Sequence, residues 1–290
     1  MNNIFIPEIR FGEPVRCGAL AVFPLYAERR TLFPDDHLDY LLSDEAMAQG
    51  ACTAVETDIV SKLVIDNTGN KPVLFLEGEE VCGGRQNRAL GVSVLVGAGS
   101  RTTVPVFCVE RKRWGGSSPH LTAGAHSPPS MRHILKGGSS SQAAVWRLIQ
   151  AKHLATGTSS KYENMSDALR PEVVKELRQS LKFPQGASGI AVVMRGKTVG
   201  IDLFDKPETL EKLWDRLVIL GLTLDAVDLQ GVEGRDSDIL VRLYRSMRWQ
   251  QVEPVIGLGE SYRARGDDGS LMTALVVEGS VIHLSISAPI

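Results

Sequence analysis

The sequence predicts an α+β fold with a β-rich N-terminal half and a mixed C-terminal half. Two observations support this prediction. The first 114 residues contain six short apolar or alternating runs separated by Gly, Asn, Asp or Pro, which is typical of strands. After residue 141, segments with the apolar spacing of helices alternate with two hairpin patterns. We therefore expect a sandwich- or barrel-like N-terminal half, followed by helices and hairpins packed on it.

Residues 1–114 carry the predicted strands and one short helix. The strand runs are CGALAVFPLY, CTAVETDIV, KLVIDN, PVLFLEG, RALGVSVLVG and TTVPVFCVE. The helix is predicted over SDEAMAQG, because Ser43 suits an N-cap and Gly50 is typical just beyond a helix C-terminus. This half is expected to be one β-rich subdomain.

Residues 115–141 differ sharply in composition from what precedes and follows them. Gly, Ser and Pro dominate, and no hydrophobic period survives. Long irregular segments inside globular proteins are often functional. We therefore expect a loop or lid here, with His120 as the residue that acts from it as an acid or base.

Residues 142–290 are expected to form an α+β subdomain. The predicted helices are SQAAVWRLIQAKHLATG, SDALRPEVVKELRQSLKF, PETLEKLWDRLVILGL and DSDILVRLYRSMRW. One hairpin is predicted to turn at residues 195–197 and another at residues 278–279, where Gly supplies the positive φ of a tight turn. Asp202 lies between apolar residues and is expected at a solvated or edge position.

Charge and cysteine content exclude several classes of protein. The formal net charge is −2, so no overall basic field favours nonspecific binding to nucleic acid or membranes. No run approaches the roughly eighteen apolar residues of a membrane span, and the N-terminus does not resemble a secretory signal. Four dispersed cysteines fit a cytoplasmic protein. We expect no cofactor and no metal, because the histidines lack metal-binding spacing. The sequence does not predict the oligomeric state.

Two polar motifs stand at the ends of neighbouring strand runs. GGRQNR occupies residues 83–88 and CVERKRW occupies residues 108–114. The runs between them meet at a glycine-containing turn, which predicts a hairpin. Its register places Asn87 opposite Glu110 and Arg88 opposite Val109. We therefore expect a side-chain atom of Asn87 or Arg88 to contact the Glu110 carboxylate.

The residue types in these motifs fit an anionic ligand. Paired glycines allow close backbone approach, arginines bind phosphate or carboxylate through two hydrogen bonds, and tryptophan stacks on rings. Glu110 and Glu79 are the predicted catalytic acid/base residues. The predicted ligand-binding residues from the motifs are Gly84, Gln86, Asn87, Arg88, Arg113 and Trp114. A purely structural ion pair is the alternative, and Cys108, flanked by valines, is interpreted as a buried inert thiol rather than a nucleophile.

Three segments resemble one prokaryotic family. They are E-G-E-x-x-x-G-G-x-Q-N-R at residues 77–88, V-x-C-V-E-x-x-R-W at residues 106–114, and G-x-A-V-V-M-x-G-K-x-V-G-x-D-L-F at residues 189–204. The family is named for its association with ADP-ribosylglycohydrolases and rhodanese- or phosphatase-superfamily proteins. The resemblance adds Glu56 to the ligand-binding residues and implies ADP-ribose, nucleotide or RNA-repair chemistry, including conflict with phage. Arg85 departs from the lysine or other polar residue expected there.

Three functions follow from these observations. The first is an enzyme acting on a nucleotide-like, ADP-ribose-like or RNA-end substrate, with a Glu acid/base and an Arg phosphate clamp. Hydrolysis is the candidate reaction. The second is a non-catalytic sensor that binds such a ligand. The third is a structural or interaction protein in which the polar cluster only stabilises the fold. The expected partner is a small anionic ligand, with RNA as a second class.

Overall fold

The computed structural model describes residues 7–27, 38–116, 119–137, 142–226, 250–252 and 255–289. In chain order the strands are β1 (Ile9–Phe11), β2 (Val15–Cys17), β3 (Leu20–Ala27), β4 (Leu41–Leu42), β5 (Cys52–Glu56), β6 (Lys62–Asn67), β7 (Val73–Phe75), β8 (Glu79–Gly83), β9 (Arg88–Leu90), β10 (Val94–Val96), β11 (Ser100–Cys108), β12 (His120–His126), β13 (Gly189–Met194), β14 (Lys197–Phe204), β15 (Gln250–Val252), β16 (Glu260–Arg265), β17 (Leu271–Val277) and β18 (Ser280–Ser287). The helices are α1 (Ser43–Ala48), α2 (Pro129–Lys136), α3 (Gln142–Thr156), α4 (Pro171–Ser180), α5 (Pro207–Leu213) and α6 (Gly221–Thr223), with a 3₁₀ turn at Met165–Ala168 and a π-helical stretch at Trp214–Leu220. The predicted α+β class is confirmed. No helix in these ranges is long and apolar enough to cross a membrane.

The chain divides into two compact units whose boundaries differ from the predicted ones. Unit 1 comprises Met1–His37, Pro171–Glu253 and Gly259–Ile290, and unit 2 comprises Leu38–Arg170 and Pro254–Leu258. The N-terminal strands do not belong with the rest of residues 1–114, because β3 pairs with β13 of the C-terminal region. Hydrogen bonds between residues far apart in the chain determine which strands pair, and local sequence patterns do not predict these partners.

Unit 1 contains a nine-stranded sheet in which every pairing is antiparallel. Both predicted hairpin turns are present. Arg195 and Gly196 have φ values of 49° and 76°, and Glu278 and Gly279 have values of 50° and 81°. Two successive left-handed residues are what a tight two-residue hairpin requires. The helix predicted over residues 236–249 lies outside the described residues.

Asp202 does not lie at a solvated or edge position. It is 2% exposed, and its Oδ1 lies 3.1 Å from Nε2 of His283. Its strand, β14, is central in the sheet because β13 pairs on one side and β18 on the other. The expectation was wrong because local alternation does not show whether the polar face of a strand is covered.

Unit 2 is built around a closed barrel of six strands in the order β11, β6, β5, β12, β8 and β9. Alternate residues of these strands fill its interior, among them Leu63, Val81, Leu90 and Val106. Ala46 and Met47 of α1 join this core. Because α1 leads into the start of β5, it lies at the end of the barrel opposite to Glu56.

The segment 115–141 contains regular structure where a loop or lid was predicted. Strand β12 pairs with β5 and β8 and closes the barrel. A Cβ at Gly124 would lie 2.6 Å from the Cys82 Sγ, so this strand approaches β8 too closely for a larger residue. Helix α2 then begins with Pro129 in its first turn, where proline is well tolerated. This strand was not predicted, because its small residues give no clear alternation of apolar and polar positions.

The predicted hairpin register is off by one residue. Arg88 pairs with Cys108 rather than with Val109. The reason is that β10 does not pair with β11 and instead joins a separate small sheet with β7 and β4. The first half of β11 pairs with β6 and its second half with β9. The two motifs nevertheless meet, because β9 and β11 are antiparallel neighbours.

Candidate functional site

One mouth of the unit 2 barrel carries four inward-facing polar side chains. Glu56 ends β5, Arg88 begins β9, Cys108 ends β11 and His120 begins β12. Glu56, Arg88 and Cys108 each lie two residues from an interior core residue and therefore share its strand face, as Glu56 does with Ala54. His120 is the strand partner of Ala54. Three connections between strands also meet at this mouth, so it gathers both predicted motifs.

Arg88 is the central residue of this mouth and is only 1% exposed. One terminal nitrogen donates to Gln86 Oε1 and to the Cys108 Sγ. The other lies 3.5 Å from Oε2 of Glu56. Its Nε has no acceptor among the described residues. A buried guanidinium with an unused donor is unusual, because buried polar groups are nearly always hydrogen-bonded.

The Glu56 carboxylate is held by several donors. Its Oε1 accepts a hydrogen bond from the Arg85 backbone N–H at 2.9 Å and lies 3.2 Å from His120 Nε2. Burial by itself would raise the pKa of Glu56, but the Arg85 N–H, followed by the charges of Arg88 and His120, lowers it below its ordinary value. Glu56 is therefore ionised at neutral pH.

His120 lies in a strand and not in a lid, and it is fully buried. Its Nδ1 lies 3.2 Å from the carbonyl oxygen of Val81, while Nε2 faces Glu56. Burial lowers the pKa of His120 below its ordinary value, against the opposing effect of Glu56. A neutral imidazole has one N–H for these two acceptors. The pair can therefore take up a further proton between Nε2 and the carboxylate.

Gly84 closes over this pair. It has a φ of 54°, and a Cβ there would lie 2.3 Å from His120 Nε2 and 2.8 Å from Glu56 Oε1. Both the left-handed backbone and the close approach require glycine. The glycines of the first motif thus bring backbone against the carboxylate and the imidazole.

Glu110 belongs to a neighbouring cluster and does not contact Arg88. Its Oε2 accepts hydrogen bonds from the Asn87 backbone N–H at 3.0 Å and from Arg113 Nε at 2.8 Å. The side-chain contact predicted between Glu110 and Asn87 or Arg88 is therefore replaced by a backbone contact and by Arg113. Arg88 takes Glu56, the inward-facing carboxylate at the end of β5, as its carboxylate partner instead.

Two of the predicted site residues lie away from the buried mouth. Glu79 begins β8 at the opposite end of the barrel, where it accepts hydrogen bonds from Ser43 Oγ and the Leu76 N–H. Trp114 is 60% exposed. The side chains of Arg85, Arg111 and Lys112 are also exposed, so residues of both motifs form a basic rim with one aromatic ring.

Two residues of this region, Gln142 and Glu80, lie outside the predicted set of site residues. The Gln142 side chain accepts from the Cys108 N–H at 2.8 Å and donates to the Cys108 carbonyl at 2.7 Å. Glu80 is fully buried on the outer face of β8 and accepts from Ser166 Oγ at 2.7 Å. Burial, followed by the nearby charges of Glu110 and Asp167, raises the pKa of Glu80 to about 7 against the opposing Ser166 bond. Only the PVLFLEGEE run signalled an acidic cluster.

The barrel mouth combines a carboxylate, an imidazole and a guanidinium, from Glu56, His120 and Arg88. Burial raises the pKa of the Cys108 thiol, and Arg88 offsets part of that effect. Cys108 is thus a protonated thiol at neutral pH, as its flanking valines indicate. No group of three or more His, Cys, Asp and Glu side chains is placed to hold a metal ion in the described part of the chain.

Residues 8–287 match the family described as the ARG and Rhodanese-Phosphatase-superfamily-associated Protein domain, ARPP-1. The chain belongs to this family. The match spans both units and includes all three motifs that carried the resemblance. No curated protein and no solved structure matches the chain. The ARPP-1 description names an association with other proteins and no reaction, so the function rests on the geometry of the barrel mouth.

Proposed function

We propose that the barrel mouth binds a small phosphate-bearing ligand of the nucleotide, ADP-ribose or RNA-end class and acts on it as an enzyme. The observation that carries this proposal is the ionised Glu56 carboxylate 3.2 Å from His120 Nε2, beside the buried guanidinium of Arg88. A carboxylate and an imidazole in hydrogen-bond reach are a common acid–base unit. The unused N–H of Arg88 fits a phosphate oxygen.

The rim supports an anionic ligand that carries a ring. Arg85, Arg111 and Lys112 are exposed there, and Trp114 presents an open aromatic face. Basic side chains attract phosphate, and an exposed indole stacks on a nucleobase. Glu163 pairs with Lys112 at 2.7 Å and lies 3.5 Å from Arg111, so part of the basic charge is balanced before a ligand arrives.

The geometry favours Glu56 and His120 over Glu110 and Glu79 as the acid–base residues. Glu110 is held by Arg113, and Glu79 lies at the far end of the barrel. In a hydrolysis, an attacking water would give its proton to the Glu56–His120 pair, which would hold it between the carboxylate and His120 Nε2. The same proton would then pass to the oxygen of the leaving group. Arg88 would stabilise the negative charge that develops between these steps.

A non-catalytic sensor is the second candidate, and one observation favours it. His120 is fully buried and the Glu56 side chain is 5% exposed, so the acid–base pair does not reach solvent in this structure. An enzyme must uncover the pair, whereas a sensor needs only the exposed rim. The structural alternative requires that no ligand binds.

A paired binding and turnover experiment tests the proposal. A thermal-shift screen against ADP-ribose, ADP, cyclic nucleotides and short RNAs identifies the ligand, because a ligand that binds only the folded state raises the melting temperature. Turnover of that ligand is then followed in Glu56→Gln, with Glu163→Gln as the matched control on the rim. An enzyme loses turnover but keeps binding in Glu56→Gln only. Binding without turnover in the wild type supports the sensor, and no binding at all rejects both.

A further inference from the structure

We propose that Arg113 is a latch that holds residues 83–87, the glycine flap, closed over Glu56 and His120, and that an incoming phosphate releases it. This inference rests on the proposed function for the identity of the anion. The latch itself is a property of the closed structure and is testable without a ligand. It explains how a fully buried acid–base pair becomes accessible.

Arg113 connects the flap to the end of β11 through a fan of hydrogen bonds. Its NH1 donates to the carbonyl of Gly84 at 2.8 Å, and its NH2 donates to the carbonyl of Gly83 at 3.1 Å. The same NH2 donates to Asn87 Oδ1 at 3.1 Å. Arg113 is also anchored to Glu110 Oε2, which lies 2.8 Å from Nε and 2.7 Å from the same NH2. One side chain therefore fixes both ends of the flap.

The flap is the cover of the acid–base pair. Gly84 lies so close to His120 and Glu56 that a Cβ would overlap both. The backbone at Gly116 packs in turn against the flap, because a Cβ at Gly116 would lie 2.2 Å from the Gly84 carbonyl oxygen. Gly83, the last residue of β8, and Gly84 have φ values of 108° and 54°, so the backbone can hinge where the flap leaves the barrel.

A phosphate is suited to release this latch. A guanidinium binds a phosphate through two parallel hydrogen bonds between opposite charges, and a neutral carbonyl does not supply that attraction. The Arg113 side chain is 22% exposed, so an anion can reach it from the rim. A phosphate that takes the NH1 and NH2 donors would displace the carbonyls of Gly83 and Gly84. Glu110 would keep the arginine in place through Nε.

The latch is tested first without a ligand, by the reactivity of His120 towards diethyl pyrocarbonate, mapped by mass spectrometry in the full chain. Arg113→Gln should raise the modification rate of His120 at least tenfold and speed amide exchange in residues 83–87. Arg111→Gln is the matched control, since Arg111 lies two residues away and pairs with Glu163. An unchanged rate for His120 in Arg113→Gln overturns the latch.

A second variant opens the flap while Arg113 stays intact. Gly84→Ala places a methyl group against His120 and should also expose it. Gly99→Ala is the control, because Gly99 has a similar φ of 59° and nothing within 4 Å of its Cβ position. Faster modification in Gly84→Ala but not in Gly99→Ala supports the flap, and this pair decides the question should Arg113→Gln fail to fold. Equal rates in both glycine variants overturn it.

Inorganic pyrophosphate then tests release by an anion. It should raise the modification rate of His120 in the wild type and leave that of Arg113→Gln unchanged, with calorimetry as the independent measure of binding. Pyrophosphate that binds without exposing His120 overturns the release step and leaves the proposed function standing. Pyrophosphate that does not bind contradicts the phosphate site of the proposed function, and the release step with it, while the variants still decide the latch.

Discussion

The Nε2 atom of His120 lies 3.2 Å from the Oε1 atom of Glu56, although 64 positions separate the two residues in the chain. Strands β5 and β12 are neighbours in the barrel, and His120 pairs with Ala54, two residues before Glu56. Arg88 completes the group from β9. The stability and the titration of the barrel mouth follow from this arrangement, and each can be measured in single variants.

Arg88→Ala should strongly destabilise the protein. The change leaves the ionised Glu56 in a nearly buried position without its guanidinium, and breaking a buried pair typically costs about 3–5 kcal/mol. Arg101→Ala is the control, because Arg101 pairs with Asp66 at 3.3 Å but its side chain is 65% exposed. Such a surface pair contributes less than about 1 kcal/mol. Urea unfolding of both variants checks the difference, and similar losses would contradict the central role of Arg88.

His120 should make the protein less stable in acid. Because burial lowers its pKa in the folded state, the unfolded chain binds more protons between the folded value and its ordinary value of 6.5. Its contribution to stability is therefore complete above pH 6.5 and is lost as the pH falls through the folded pKa. The unfolding free energy of the wild type should drop more steeply than that of His120→Gln between pH 7 and pH 5. Parallel curves would show that the folded pKa is not lowered.

Glu80 should make the protein less stable as the pH rises, which is the opposite of the effect of His120. Its folded pKa of about 7 lies above its ordinary value of 4.5, so the folded protein binds more protons between these values. The cost of burying the charge is therefore absent below pH 4.5 and complete above pH 7, where it is on the order of 3 kcal/mol. Glu80→Gln keeps an acceptor for Ser166 and should stabilise the protein at pH 8 but not at pH 5, as measured by urea unfolding. Equal effects at both pH values would be the contrary result.

Cys82 should be the fast-reacting thiol of the native protein. Cys17, Cys52 and Cys108 are buried, whereas Cys82 is partly exposed. Burial raises the pKa of all three buried thiols, that of Cys52 to about 12. We expect Ellman's reagent to label one cysteine rapidly, Cys82→Ser to abolish that phase and Cys108→Ser to leave it unchanged. Rapid labelling of Cys108 would restore it as a candidate nucleophile.

Several elements were predictable because their signals are local. The helix over Ser43–Ala48, the turn at Arg195 and Gly196, and the meeting of the two motifs at one strand end all appear in the structure. The strand over His120–His126 was missed, because small residues give no alternation of apolar and polar positions. The Arg88 register failed by one residue because β10 leaves the expected hairpin for another sheet.

The sequence alone determined the strand-rich α+β class, the family and the two polar motifs, because these depend on residues close together in the chain. Only the tertiary structure decided which carboxylate faces Arg88. The closed barrel places the end of β5 beside the start of β12 and across from β9, so Glu56 reaches His120 and Arg88 while Glu110 turns to Arg113. Closure is set by hydrogen bonds between distant strands and by the filling of a shared interior, and neither is written in the local pattern of any one strand.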